Sequence, residues 1–362
     1  MARWRMPWHH NIGAIGLDLG GDAPRATQVR FGADVPRVEI AARVEAGATL
    51  QTRASAAVHA LRAASFIGRE LAIGLPTPYA RMHVARLPEL ERADLREAVA
   101  WEASERCALP REQIVADSIA TDAPSTSGDG KIERLIVSAD ASELTAAFDV
   151  FVQAGFEPMV AEPRFVALAR ALGRRTRRGT DLANIRAVLH VDDDDATVLV
   201  LRGDRIAFCR ELSFGGNSLD GAVAGRLGVP VESAALLRAR RMAAVRGEGE
   251  PVDPASEEAA QTATRPTLDA IASELALCLR YFGVTFRGGQ PARVILSGPH
   301  AAEPRLAGIV EEACRTGVSS FEEELPAMAR EALGAGAARW VVAYGLACRA
   351  RNRLSALQED AA

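Results

Sequence analysis

Gly16-Leu17-Asp18-Leu19-Gly20-Gly21 follows an apolar run near the start of the chain and sets a carboxylate among glycines. Glycine lets a phosphate approach backbone N–H groups with no Cβ in the way. An aspartate at such a turn offers the oxygen that a hydrated magnesium ion prefers. Asp18, Gly20 and Gly21 therefore form a candidate phosphate and metal site, although a glycine pair after a strand also makes an ordinary tight turn. A second charged turn, Asp192 to Asp195, sits deep in the other half. Four acidic groups repel a triphosphate but can gather a divalent cation, with Asp192 the candidate ligand; an exposed acidic turn is the alternative.

Other residue types offer less. His59, His83 and His190 are too dispersed for a metal site or a catalytic dyad and read as surface or satisfied histidines. Ser297 precedes Gly298 without the flanking pattern of a nucleophile elbow. The five cysteines are scattered with no C-x-x-C pair, which fits a reducing compartment and small buried hydrophobes. Trp101, with Leu95 and Val99 nearby, reads as core packing, the alternative being an exposed indole that anchors a partner peptide. No catalytic residue emerges.

The elements that must position these groups follow from periodicity. Ile12 to Leu19 reads as a buried strand turning at Gly20-Gly21 into a second strand, Ala26 to Phe31. An extended stretch from Val38, a helix over 55–65 and a strand over 70–75 complete an α/β layer. The next region, about 79–160, reads as an inserted strand-helix-strand-strand module, with a helix over 142–155 at its end. A helix from Phe165 and the basic run Arg174 to Arg178, taken as a solvated turn, close the first half. From Ile185 the hairpin-led pattern begins again, the footprint of a duplicated two-lobe fold. Residues 247–266 are expected to form a flexible loop before a long helix from Thr267.

With 362 residues the chain exceeds the about 100–200 of one domain. The expected division is a leader at 1–11, a first lobe at 12–178 with its module, a second lobe at 179–351 and a tail at 352–362. A net charge of −4 gives no general attraction to nucleic acid. No apolar run approaches a membrane span and the start lacks a signal-peptide core, so a cytoplasmic protein is expected.

The order of features resembles the superfold shared by actin, DnaK-type chaperones and sugar kinases, and in detail the PilM family of type IV pilus assembly proteins. The resemblance is carried by Gly16 to Gly20, Leu87-Pro88-Glu89-Leu90, Ala98 to Glu102, Arg210-Glu211, Phe214-Gly215-Gly216, Glu232 to Ala234 with Leu237-Arg238, Arg280-Tyr281-Phe282, Leu296-Ser297-Gly298 and Ala343 to Ala347. It implies a cytoplasmic adaptor, peripheral to the inner membrane, that grips the cytoplasmic tail of a bitopic PilN-like protein. Pilus motor and platform proteins are implied as further partners, with self-association through the module. It also implies ATP and Mg²⁺, with Arg25, Gly215, Gly216, Arg238 and Gly298 joining Asp18, Gly20 and Gly21 around the nucleotide.

Three departures point to a degenerate site and at most a weak ATPase. Gly21, Asp22, Ala23 and Arg25 stand where the family has hydroxyl residues and a lysine. The second hairpin has no glycine, and Pro299 and His300 follow Gly298. A kinase of the sugar-kinase branch, an FtsA-like protein and a type II secretion platform component are the alternatives.

Overall fold

The computed structural model describes residues 12–30, 35–40, 48–122, 130–173, 184–287 and 289–349. The leader, the Arg174 to Arg178 run and the tail lie outside them. In chain order the elements are β1 (Ile12–Asp18), β2 (Arg25–Arg30), β3 (Val35–Ile40), α1 (Leu50–Ala63), β4 (Glu70–Leu75), β5 (Arg81–Pro88), α2 (Arg92–Cys107), β6 (Ile114–Ala120), β7 (Lys131–Asp140), α3 (Ala141–Gln153), β8 (Glu157–Pro163) and α4 (Arg164–Gly173). The second half adds β9 (Ile185–Val191), β10 (Ala196–Arg202), β11 (Arg205–Leu212), α5 (Gly216–Leu227), α6 (Val231–Val245), α7 (Pro254–Thr285), β12 (Val294–Ser297), α8 (Leu306–Cys314), β13 (Val318–Ser320), α9 (Phe321–Glu324), α10 (Ala327–Leu333) and α11 (Val341–Ala347).

Two five-stranded sheets share one plan. The first runs β3-β2-β1-β4-β8 and the second β11-β10-β9-β12-β13. In each, three antiparallel strands lead and two parallel strands follow. β9 and β10 are buried on both faces, which explains their continuous apolar runs. β1 is buried on both faces as well. Ile15 and Leu17 pack with Ala54, Ala57 and Leu61 of α1, while a Cβ on Gly16 between them would lie 2.3 Å from the Ala343 carbonyl of α11.

The inserted module is narrower than its sequence suggests. Its separate sheet, β5-β7-β6, and α2 occupy residues 81–140. α3 packs on α1, and β8 pairs with β4 in the main sheet, so 141–163 belong to the first lobe. Within the module Val99 and Ala103 of α2 meet Ala85 and Ile136, with Leu95 beside them. These positions repeat every four residues on one helical face; Trp101, two residues from Val99, falls on the other and is 56 % exposed. The expectation of a core tryptophan is therefore corrected.

The expected loop over 247–266 is also corrected, because α7 begins at Pro254. Asp253 caps the helix by accepting from the Ser256 N–H at 3.0 Å, and proline suits the first turn, where its missing N–H is not needed. Ala260 and Thr264 are buried, and Glu257 receives both ends of the Arg241 guanidinium, so tertiary contacts hold the helix through Pro266. The polar composition of this stretch conceals that buried face.

The chain ends by crossing back. α11 lies against β1, β2 and α4, and α10 lies against β3, so the final segment covers the first lobe rather than the second. A shared core joins Phe165 and Leu168 of α4 to Val188, Leu199 and Ile295 of the second sheet and to Val342 and Leu346 of α11.

Candidate functional site

The two hairpins meet face to face between the lobes. At the end of β1, Asp18 is buried and its Oδ1 accepts the Gly20 N–H at 3.0 Å. Arg164, the first residue of α4, grips the same carboxylate with both ends of its fork: Nε donates to Oδ1 at 2.8 Å and Nη2 to Oδ2 at 3.1 Å. Its remaining nitrogen, Nη1, pairs with Asp192 Oδ2 of the opposite hairpin. A Cβ on Gly20 would lie 2.5 Å from the Arg164 Cζ, so the guanidinium lies across the glycine face where a phosphate would approach.

Next to this pair Asp193 reaches into the first hairpin. Its Oδ2 accepts the Asp22 N–H at 2.7 Å and lies 3.9 Å from Arg25 Nη2, while Oδ1 pairs with His300 Nε2 at 2.7 Å. Gly21 has φ +68°, and a Cβ there would stand 2.4 Å from Asp193 Oδ2, so both conformation and space require glycine. Asp192 and Asp193 are thus buried in ion pairs, while Asp194 remains exposed.

Electrostatics follow from this packing. Burial opposes the Arg164 charge, but Asp18, Asp192 and Asp195 outweigh it and raise its pKa well above the ordinary value. Burial likewise opposes ionised Asp192, yet Arg164, then His190 and Arg25, hold its carboxyl well below the usual range. His190 is buried with Nδ1 3.1 Å from Ser297 Oγ, and burial pushes its pKa down to about 4, with the pull of Asp192 opposed by Arg164.

The other sequence-predicted residues have structural partners. The Gly216 and Asn217 N–H groups at the start of α5 donate to the Asp192 and Asp193 carbonyls at 2.7 and 2.8 Å. A Cβ on Gly215 would meet the Asp193 carbonyl at 2.5 Å, and one on Gly216 the His300 ring at 2.0 Å. Gly298, at φ +98°, would press a Cβ to 2.3 Å from the Val191 carbonyl. Arg238 is buried behind His300, donating to the Gly216 carbonyl at 2.9 Å, Asp220 at 2.6 Å and Glu303 at 2.8 Å. Asp18, Gly20, Gly21, Arg25, Asp192, Gly215, Gly216 and Gly298 therefore converge on the cleft, with Arg238 one layer behind.

These residues do not fit a magnesium ion or a phosphate chain. Both carboxylates proposed as ligands are held by one guanidinium, and a carboxylate takes the Asp22 N–H. Among the described residues no group of three or more His, Cys, Asp or Glu could hold a metal ion. Beyond the hairpins a cavity of about 670 Å³ remains, lined by Arg25, Met242, Arg246, Pro299, Gly336 and Arg339. Burial, then Arg246 and Arg25, lowers the Arg339 pKa.

Arg164 was missed from the sequence, although a signal existed. A cation in the first turn of a helix is disfavoured by the helix dipole, and Arg164 directly follows Pro163 at such a start.

A second concavity, of about 600 Å³, separates the module from the first lobe. Val115, Ala116 and Ile119 of β6 form one wall; Leu144 and Phe148 of α3 and Met159 of β8 line the other. β6 and β8 are each the last strand of their sheets, so the groove runs between two sheet edges. Glu162, bonded to Arg170 and Arg349, also lines it.

Two sheets of identical strand order, closed on each other through paired hairpins, define the actin-like ATPase fold, here with a module inserted in the first lobe. The sequence profile described as type IV pilus assembly protein PilM matches residues 54–351, and the chain belongs to that family. Among curated proteins none matches the sequence. Of solved structures, a PilM-PilN type IV pilus biogenesis complex superposes with TM-score 0.73 at 18% identity, covering 94% of this chain and 98% of that one. The ethanolamine utilization protein EutJ from Carboxydothermus hydrogenoformans follows at 0.54 and 14% identity, covering 94% of this chain and 90% of its own. A Bacteroides thetaiotaomicron protein of actin-like ATPase fold and unknown function gives 0.48 and 10% identity, over 91% and 98% of the two chains.

Proposed function

We propose that this chain is a cytoplasmic adaptor of a type IV pilus assembly platform, and that it receives the extended tail of a PilN-like bitopic inner-membrane protein in the groove between β6 and β8. The groove carries this reading. Its apolar floor offers side-chain pockets, and on each side a strand edge that pairs with no other described strand offers backbone N–H and C=O groups, as strand addition requires. Among the described residues Val115 is 54 % exposed there, a large apolar residue that none of them covers. Family membership and the solved PilM-PilN relative support the partner class. Among the described residues no helix is long and apolar enough to cross a membrane, so the partner would supply the anchor.

This function needs neither ATP nor Mg²⁺. The cavity beside Arg25 would accept a nucleoside, but the phosphate seat is held by the chain's own Arg164 and Asp193. Function therefore lies in binding.

Fluorescence anisotropy with a labelled peptide of the partner's cytoplasmic tail tests the proposal. Saturable binding is expected without nucleotide, and Val115→Asp and Phe148→Ala should each weaken it at least about tenfold, the loss of one anchor at an interface core. Unchanged affinity in both variants, with their folding intact, would place the partner elsewhere.

A further inference from the structure

We infer that this chain carries its own substitute for a metal–phosphate pair: Arg164 takes the cation's place between Asp18 and Asp192, and Asp193 takes the anion's place on the Asp22 N–H. Together these groups hold the lobes closed without nucleotide. Three links cross the cleft: Arg164 to Asp192, the Asp22 N–H to Asp193, and Arg25 to Asp193; the Asp18–Arg164 and Asp193–His300 pairs anchor them on either side. Asp18, Asp22, Arg25 and Arg164 belong to the first lobe, whereas Asp192, Asp193 and His300 belong to the second.

The bidentate grip on Asp18 and the third nitrogen on Asp192 engage all three guanidinium nitrogens, a geometry that a lysine could not reproduce. The Arg164 side chain is only 12 % exposed and both carboxylates 2 %, so solvent screens these pairs little. Arg164 also covers Gly20, and the α5 amides that could greet a phosphate are bonded to the carbonyls of the acidic turn. The inference concerns the cleft alone and stands apart from the partner proposal.

Thermal melts and calorimetry of the full chain test it. The wild type should shift by under about 1 °C with millimolar Mg·ATP and show no saturable heat, where a working site would add several degrees. Arg164→Gln should lower Tm by about 5–10 °C, because two buried carboxylates lose their counter-charge. Mg²⁺ alone should then restore part of the loss, since Asp18 and Asp192 would face each other unpaired. If that variant fails to fold, Asp193→Asn replaces it, with faster hydrogen exchange expected at residues 20–25. Saturable Mg·ATP binding by the wild type overturns the inference. So does an Arg164→Gln chain, or failing that an Asp193→Asn chain, indistinguishable from wild type. Tail-peptide affinity measured on the same nucleotide-free samples shows separately whether the partner proposal stands.

Discussion

Asp195 closes the acidic turn beside the clamp, in the field of its neighbours. Burial first, then the charges of Asp192, Glu211 and Asp194, push its carboxyl up to about 7, with Arg164 pulling the other way. The folded chain thus holds a proton between about pH 4 and 7 that the unfolded chain has released, so this group's contribution to stability falls as pH rises through that window. His190 acts oppositely. Its depressed pKa, about 4, makes stability rise with pH between about 4 and 6.5. The wild-type profile mixes the two, but Asp195→Asn isolates one. Its Tm advantage over wild type should be small at pH 4.5 and reach about 2–6 °C at pH 8. Melts across that range check it, and a difference that stays flat would mean that Asp195 ionises normally. At this scale the cleft was half legible. Strand-then-glycine marks Asp18, Gly20 and Gly21, and the acidic turn marks Asp192, but the charge that joins them stands 146 positions from Asp18. No local pattern reports such a pairing.

Close backbone approach explains how the elements hold the cleft residues in place. α4 presents Arg164 to the cleft, and α11 packs across it at Gly345, where a Cβ would lie 1.9 Å from the Ala167 carbonyl. Gly345→Ala must therefore separate the two helices. About 3 kcal/mol or more of destabilisation is expected, at the upper end of overpacking. Gly221 on α5 has nothing within 4 Å of the same added atom, so Gly221→Ala should instead stabilise by about 0.5–1 kcal/mol. Denaturant melts of the two variants give opposite signs if the packing is as described; equal effects would contradict it. Sequence pattern located most strands because short apolar runs bounded by turn residues survive in them. It failed for the start of α7, where Glu, Thr and Pro hide a face buried against its neighbours, and for Trp101, where an aromatic residue on a helix was read as core. In both cases helix phase, not residue type, decided the outcome.

At the scale of the whole molecule, duplication was visible in the sequence as two hairpin-led halves, yet the boundary between them does not divide the fold. The shared core draws on α4, on β9, β10 and β12, and on the terminal α11 together, while α11 supplies cover for β1, the strand that ends in Asp18. A contiguous second lobe ending at residue 351 therefore includes a segment that completes the first. This arrangement also serves the clamp, because Gly298 at the second lobe's edge donates its N–H to Ala338, just before the chain crosses back. Removing residues 335–362 would strip α11 from the first sheet and expose Val29, Ala72 and Leu168 to water. Burial of several large apolar side chains at about 1.5–3 kcal/mol each exceeds what a typical domain has in reserve. The truncated chain should lose its cooperative melt, in far-UV circular dichroism and in hydrogen exchange of β1, rather than fold as a shortened second lobe beside an intact first. A truncated chain that melts cooperatively within about 5 °C of wild type would show that α11 is dispensable and that the halves are independent.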